Sequence, residues 1–483
     1  MLFNSIDFAI FLPIVFILYW FVTNKNLKLQ NLLIVAASYL FYGWWDWRFL
    51  LLIVFSTLVD YSIGRGLKTE ENQKKRKVLL WISILVNLGF LGFFKYYNFF
   101  LDNFITAFSF FGTEIKGNSL NIILPVGISF YTFQTLSYTI DVYKRKLEPT
   151  TDFIAFSAFV SFFPQLVAGP IERATHLLPQ FYKKRKFDYT LAVDGMRQIL
   201  WGLFKKIVIA DNCAVFANDI FNNSGDYSGS TLFLGALFFT FQIYCDFSGY
   251  SDIAIGTSRL FGFDLMKNFA FPYFSRDIAE FWRRWHISLS TWFRDYLYIP
   301  LGGSRGGLWM KIRNTFIIFI VSGFWHGANW TFVVWGALNA IYFLPLLLTN
   351  NNRNNLDVIA KNKIVPSLHE SYQMLRTFLL TVLAWIFFRA ENMQHALSYI
   401  AGIFNTSFFT VPSFATMKPL ELLVVPLIFF FLLLEWFGRD SEFGLQRIGL
   451  KWNRVFRWGL YTGIVICLFL FSTKEQTFIY FQF

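Results

Sequence analysis

Charge is scarce in this sequence. Only 15% of its 483 residues are Asp, Glu, Lys or Arg, against roughly a quarter in a soluble domain. A soluble chain would have no way to keep the 55% that are hydrophobic from water, so the shortage argues against a water-soluble protein. Cysteine is scarcer still. Cys213, Cys245 and Cys467 stand far apart in apolar runs with no Cys-x-x-Cys pair, which argues against a disulfide framework or a metal site and for three small buried hydrophobes. No basic segment precedes the first apolar run, and no small-residue cleavage site follows Val22. That run is expected to be a retained helix rather than a signal peptide. A soluble domain, a long linker and a fixed-period repeat are also missing, so residues 1–483 read as a single transmembrane domain.

What fills the space is apolar and aromatic. The chain holds 64 Phe and 17 Trp. Apolar runs cover residues 8–22, 32–45, 49–63, 78–94, 122–140, 153–168, 199–216, 232–247, 315–348, 377–388, 420–436 and 458–471. Several fall short of the roughly 20 residues a straight span needs, so some are expected to be tilted, buried or re-entrant. The expectation is an all-α polytopic membrane protein with about ten to twelve spans. The net charge of +13 would raise the question of nucleic acid in a soluble protein. Here the basic residues cluster in short loops between apolar runs, so the expected partner is anionic membrane lipid and not nucleic acid.

Those loops suggest an orientation. Lys25 and Lys28 follow the first run, and Arg65, Lys68, Lys74, Lys75, Arg76 and Lys77 crowd residues 64–77. With both loops inside and the turn at 43–48 outside, the first helices alternate and the N-terminus lies outside. Lys144, Arg145 and Lys146, the run 183–186, and Lys205 with Lys206 also favour the inside, so 153–168 is expected to be re-entrant. Residues 222–230 read as outside, which leaves 267–313 at the cytoplasmic interface. The polar stretch 350–371 is the candidate surface loop.

Between residues 314 and 352 there is no Asp, Glu, Lys or Arg, and His326 is the one side chain there that titrates near neutrality. An ionisable group at membrane depth is costly and marks a candidate site. The run 315–348 is expected to break near it into two helices, with Trp325 and Trp330 walling off water. His286 lies well upstream, beside Arg283 and Arg284. Around it, Trp282, Trp285, Leu289, Trp292 and Phe293 fall on one side of a helix, with Arg283, His286, Ser290 and Arg294 on another. That pattern predicts an amphipathic helix lying in the headgroup plane. Two histidines in such settings suggest proton-transfer chemistry within a membrane. The Gly-rich segment 301–307 lacks a Gly-Lys-Ser/Thr ending and reads as a flexible turn rather than a phosphate cradle. His176, His369 and His395 lie in polar loops and read as solvated. Gln134, Tyr138, Asp141, Gln242, Asp246 and Asp252 could line a tunnel or pair between helices. Asp246 and Asp252 flank Ser248 and Gly249 with no partner in view.

Five blocks carry a resemblance. Residues 124–144 (LPVGISFYTFQTLSYTIDVYK), 163–173 (FPQLVAGPIER), 245–256 (CDFSGYSDIAIG), 268–303 (NFAFPYFSRDIAEFWRRWHISLSTWFRDYLYIPLGG) and 322–340 (SGFWHGANWTFVVWGALNA) resemble the bacterial alginate-acetylase branch of the membrane-bound O-acyltransferase family. The likeness runs from the first helix to the closing segment 478–483. The resemblance implies that family's fold, a multi-pass bacterial inner-membrane location and an O-acyltransferase. Its reaction would move acetyl from a cytoplasmic thioester, acetyl-coenzyme A, to a hydroxyl of a cell-surface polysaccharide such as an alginate-like exopolysaccharide or peptidoglycan. The family's two signature histidines map onto His286 and His326, the latter usually treated as catalytic. Imidazole suits that chemistry, as a base for the hydroxyl or a transient acyl carrier. His326 takes that role, and His286 is expected to orient a group or stabilise the thioester oxyanion. No bound cofactor and no metal are expected. If 267–313 faces the cytoplasm, the donor phosphates would be drawn to Arg283, Arg284, Arg294 or Arg305. Similar family members work beside an exported or membrane-anchored transferase, so a partner on the outer face is expected. D-alanyl transfer to teichoic acid and polysaccharide transport are the alternatives.

Overall fold

A computed structural model of the chain describes residues 1–112, 117–412, 421–472 and 476–479. Residue 420 of the run 420–436 and residues 480–483 of the closing segment lie outside these. Among the described residues there are helices and no strands, and the chain is an all-α polytopic membrane protein. Among the described residues, five helical stretches are long and apolar enough to cross a membrane by length and composition alone: Leu27–Thr69, Gln73–Phe110, Gly229–Leu260, Trp330–Leu348 and Leu368–Arg389. Shorter apolar helices are Ile6–Val22 and Val424–Gly438. Other expected spans are interrupted. Residues 199–216, for example, are cut by a π-helical segment, Phe204–Ala210, that carries two lysines.

The chain divides into two compact units, residues 1–192 with 257–266, and residues 193–256 with 267–483. The first contains α1 (Ile6–Ile17), α2 (Leu27–Asp46), α3 (Leu50–Thr69), α4 (Gln73–Leu91), α5 (Tyr97–Phe110), α6 (Ile128–Tyr143), α7 (Phe153–Ser161), α8 (Phe163–Leu166) and α9 (Ala174–Leu177). Helix α6 begins later than the apolar run that predicts it. Gly127 precedes it at φ 74, where an added Cβ would sit 2.6 Å from the carbonyl oxygen of Leu166, so glycine alone fits that turn. Helix α7 has nine residues, far too few to cross. Helices α3, α4 and α6 meet around Asp60, which is fully buried and accepts from Ser83 Oγ, Asn87 Nδ2 and Thr139 Oγ1. A buried carboxylate persists only with such donors.

The second unit contains most of α10 (Tyr189–Leu203) and of α12 (Gly229–Leu260), with α11 (Asp211–Asn222) between them. It continues through α13 (Ile278–Arg284), α14 (Ile287–Phe293), α15 (Gly307–His326), α16 (Trp330–Leu348), α17 (Leu368–Arg389), α18 (Met393–Ile403), α19 (Val424–Gly438) and α20 (Arg454–Leu470). Helix α12 is its inner post, with most of its apolar length buried. Glycines on facing turns of α10 and α12 let the two backbones touch. A Cβ on Gly202 would lie 2.6 Å from the Gly249 carbonyl, and one on Gly256 2.5 Å from that of Gly195. Small residues at a crossing are how membrane helices gain close packing.

Candidate active site

Helices α15 and α16 form a tight hairpin, and its turn carries His326. The run 315–348 does break there, as its sequence predicts. Helix α15 ends on His326, Gly327 is extended, and Asn329 caps α16 by accepting from Thr331 N. The two helices cross with almost no side chain between them. A Cβ on Gly323 would lie 2.2 Å from the Phe332 carbonyl oxygen, and one on Gly336 2.2 Å from that of Phe319. The crossing pulls the end of α15 into the unit, and His326 is 3% exposed. Its ring packs edge-on to Trp325 at 4.9 Å, Trp335 at 5.1 Å and Phe388 at 5.2 Å. Trp330, expected in this wall, is 54% exposed. Trp335 of α16 and Phe388 of α17 supply the wall instead.

His286 arrives from a different direction. The amphipathic helix predicted through 282–294 is broken in two. Helix α13 stops at Arg284, Trp285 is extended, and His286 sits at φ 43, ψ 54 before α14 begins. The left-handed region costs a non-glycine residue roughly 1–2 kcal/mol, so tertiary packing holds the kink. The kink turns Trp285 and His286 inward, each 1% exposed, where the helical pattern puts them at the headgroups. Trp285 joins an aromatic cluster with Phe269, Phe281 and Trp385. The His286 ring packs against Phe247 at 4.7 Å and Trp325 at 6.1 Å, and its Nδ1 lies 3.0 Å from Asn268 Oδ1. Burial pushes its imidazole down to about 3, so it is neutral at physiological pH. The structure thus brings two histidines that are far apart in the chain onto the same indole, Trp325.

The four arginines expected at the donor phosphates separate into two pairs. Arg283 donates to the carbonyls of Asn352 and Asn355, and Arg284 to those of Ala270 and Asp357 and to Glu280 Oε1. Arg276 and Arg439 hold Asp357, Ile359, Ala360 and Lys363 of the same segment. The predicted surface loop 350–371 is therefore a strap, stitched down by arginine side chains, with its own Ile359 and Ala360 buried in a cluster with Phe271 and Phe274. Arg283 and Arg284 serve that strap. Arg294, beside Asp295 at 2.8 Å, and Arg305 are exposed.

Two acids that have no partner in sequence find one in the fold. Lys205 Nζ meets Asp252 Oδ2 at 2.5 Å, and Lys206 Nζ meets Asp246 Oδ1 at 2.8 Å and Asp211 Oδ1 at 2.7 Å. Both lysines are buried, where the sequence suggests loop charges. Glu435 of α19 accepts from Tyr244 Oη at 2.8 Å and is equally buried. His176, expected to be solvated, lies between Glu172 at 2.8 Å and Asp264 at 3.3 Å. Hydrogen bonds to Asp264 and Glu172 raise its imidazole to about 10. Among the described residues no His, Cys, Asp and Glu gather in a group of three or more that could hold a metal ion. Sequence reasoning missed Asn268. It opens the fourth block, yet no spacing rule ties it to His286.

Residues 142–356 match the family model described as MBOAT, membrane-bound O-acyltransferase family. The chain is 38% identical to the probable alginate O-acetylase AlgI of Pseudomonas putida, with 100% of each chain covered. It is 37% identical to the peptidoglycan O-acetyltransferase of Helicobacter pylori, over 83% of this chain and 80% of that one. The teichoic acid D-alanyltransferase of Bacillus subtilis is 29% identical over 46% of this chain and 58% of its own length.

Proposed function

Because this chain belongs to the membrane-bound O-acyltransferase family, on its alginate O-acetylase-like branch, and is an O-acyltransferase, we propose that it passes acetyl from a cytoplasmic thioester, acetyl-coenzyme A, across the bacterial inner membrane for O-acetylation of a cell-surface polysaccharide. The observation that carries this reading is the pair of buried histidines on one indole, with His326 in an aromatic chamber. Transfer from a thioester to an alcohol needs a base for the hydroxyl or a nucleophile that holds the acetyl in between, and imidazole does either. His326 takes this role. Trp325, Trp335 and Phe388 keep water from competing for the acetyl group. An alginate-like polymer or peptidoglycan as acceptor is supported by the names of the relatives aligned over most of the chain. D-alanyl transfer to teichoic acid draws on a likeness to less than half of it.

The polymer lies outside and the donor inside, and the longest polar segment, 350–371, is strapped to its own protein. An exported or membrane-anchored transferase docked on the outer face then takes the acetyl onward. Reconstitution in vesicles tests this, with acetyl-coenzyme A inside and alginate or peptidoglycan fragments outside. Acetylation of the polymer is expected only when the partner is added. Efficient polymer acetylation by this chain alone would remove the partner, and no consumption of acetyl-coenzyme A under either condition would remove the donor.

For the donor phosphates the candidates are Arg283, Arg284, Arg294 and Arg305, of which Arg283 and Arg284 also donate to the strap. A hydrogen bond to a charged group contributes about 1.5–3 kcal/mol. The double change Arg294→Ala, Arg305→Ala is therefore expected to raise the donor KM roughly tenfold or more, with the acceptor KM little changed. An unaltered donor KM would take both arginines out of donor binding. Arg283→Ala is expected instead to lower thermal stability by loosening the strap.

A further inference from the structure

Asn268 is fully buried, and its amide oxygen sits where three groups converge. Ser288 N lies 3.3 Å from it, Ser288 Oγ 2.9 Å and His286 Nδ1 3.0 Å. The backbone N–H of Ser288 can only donate, so the atom it meets is the amide oxygen and not the nitrogen. The other end of the amide agrees, since Nδ2 donates to Ser251 Oγ of α12 at 3.1 Å. An amide oxygen has no proton to give, so the hydrogen between it and His286 belongs to Nδ1. The backbone of Asn268 adds a second tie: its carbonyl accepts from Ile287 N at 2.9 Å, next to the left-handed His286. Phe247 from α12, Phe269 from the segment before α13 and Trp325 from α15 pack on the ring, and none of them titrates. Burial is what lowers the imidazole, and it keeps the ring neutral.

We propose that Asn268 is the positioning residue of this site: it fixes His286 as the neutral Nδ1–H tautomer, with the lone pair on Nε2. This rests on the reading that His286 serves acyl transfer. It also alters the part His286 plays there. An imidazole of this tautomer has no N–H at Nε2, so it cannot stabilise an oxyanion through that atom. What it offers is an acceptor, the group needed to align a hydroxyl or an N–H. The geometry matches the logic by which a carboxylate or carbonyl behind a histidine sets its tautomer in other sites.

Two measurements test it. The chain has five histidines, and ring-15N labelling with the His286→Gln variant as the assignment control reads the tautomer directly. Protonated Nδ1 and unprotonated Nε2 at neutral pH are expected. An Nε2–H tautomer, or an imidazolium, overturns the proposal whatever the activity. In turnover, Asn268→Ala is expected to lower kcat roughly 10- to 100-fold with KM little changed. Asn268→Asp keeps an acceptor at Nδ1 and is expected to recover most of kcat. Its carboxylate favours the imidazolium, so the acidic limb of the pH–rate profile should move to higher pH. A merely structural role predicts that the buried Asp is no better than Ala and that the limb stays where it is. Full activity in Asn268→Ala while His286→Ala is inactive would overturn the positioning role. Full activity in His286→Ala would instead sink the use of His286 in acyl transfer and leave the 15N result standing.

Discussion

His326→Ala is expected to abolish acyl transfer while the protein still inserts and is produced at normal levels. A general base or acid contributes roughly 10²–10⁴-fold, and a lost acyl carrier removes the path altogether. A fall in kcat of at least about 1,000-fold is therefore expected. The fold should survive, because the position lies at the end of α15, and the helix crossing is made by Gly323 and Gly336 rather than by the imidazole. Purified protein, acetyl-coenzyme A and a small hydroxyl acceptor give the rate, and thermal unfolding checks the fold. His326→Gln keeps a polar side chain of similar length and should be just as inactive. Turnover within a few-fold of wild type in either variant would remove His326 from the mechanism. His286→Ala is expected to be costly but less severe, since its neutral ring aligns a group rather than carrying the acetyl.

The largest effect on stability is expected at Lys206. Its ammonium joins Asp211, Asp246 and the carbonyl of Gln476, and Asp246 also accepts from Ile479 N. One side chain thus connects the π-helical segment, α11, α12 and the segment 476–479. Lys206→Met removes the cation that bridges buried Asp246 and Asp211, and breaking a buried pair in this way costs about 3–5 kcal/mol. A sharp drop in yield and thermal midpoint is expected. Adding Asp246→Asn and Asp211→Asn removes the carboxylates that Lys206 balances and should restore part of the loss. Wild-type stability in the single variant, or no recovery in the triple one, would show that the cluster is not held together by charge.

Much of this protein follows from local sequence. Lipid solubility, helical class and the break at His326 come from composition and from short patterns: scarce charge, a long uncharged run, and Gly327 before the helix-capping Asn329. His326 is visible as well, because an ionisable group in hydrocarbon stands out against its neighbours, and His286 is visible through its place in the fourth block of the resemblance. The family likeness is local in the same sense, since it rests on contiguous blocks. What the sequence leaves open is every pairing between residues far apart in the chain. An arginine reads alike whether it meets a phosphate or a carbonyl, so only the fold could show that Arg283 and Arg284 stitch down the strap 350–371. Lys205 and Lys206 look like loop charges until Asp246 and Asp252 arrive from another helix. The helical pattern of 282–294 is genuine, yet the packing of Trp285 among aromatic rings outweighs a left-handed residue at His286 and breaks the helix. Asn268 has no signature at all: its meaning is a hydrogen bond to a ring several helical turns further along the chain. Periodicity and composition act within a few turns, whereas burial, pairing and tautomer are properties of neighbours that only the tertiary structure brings together.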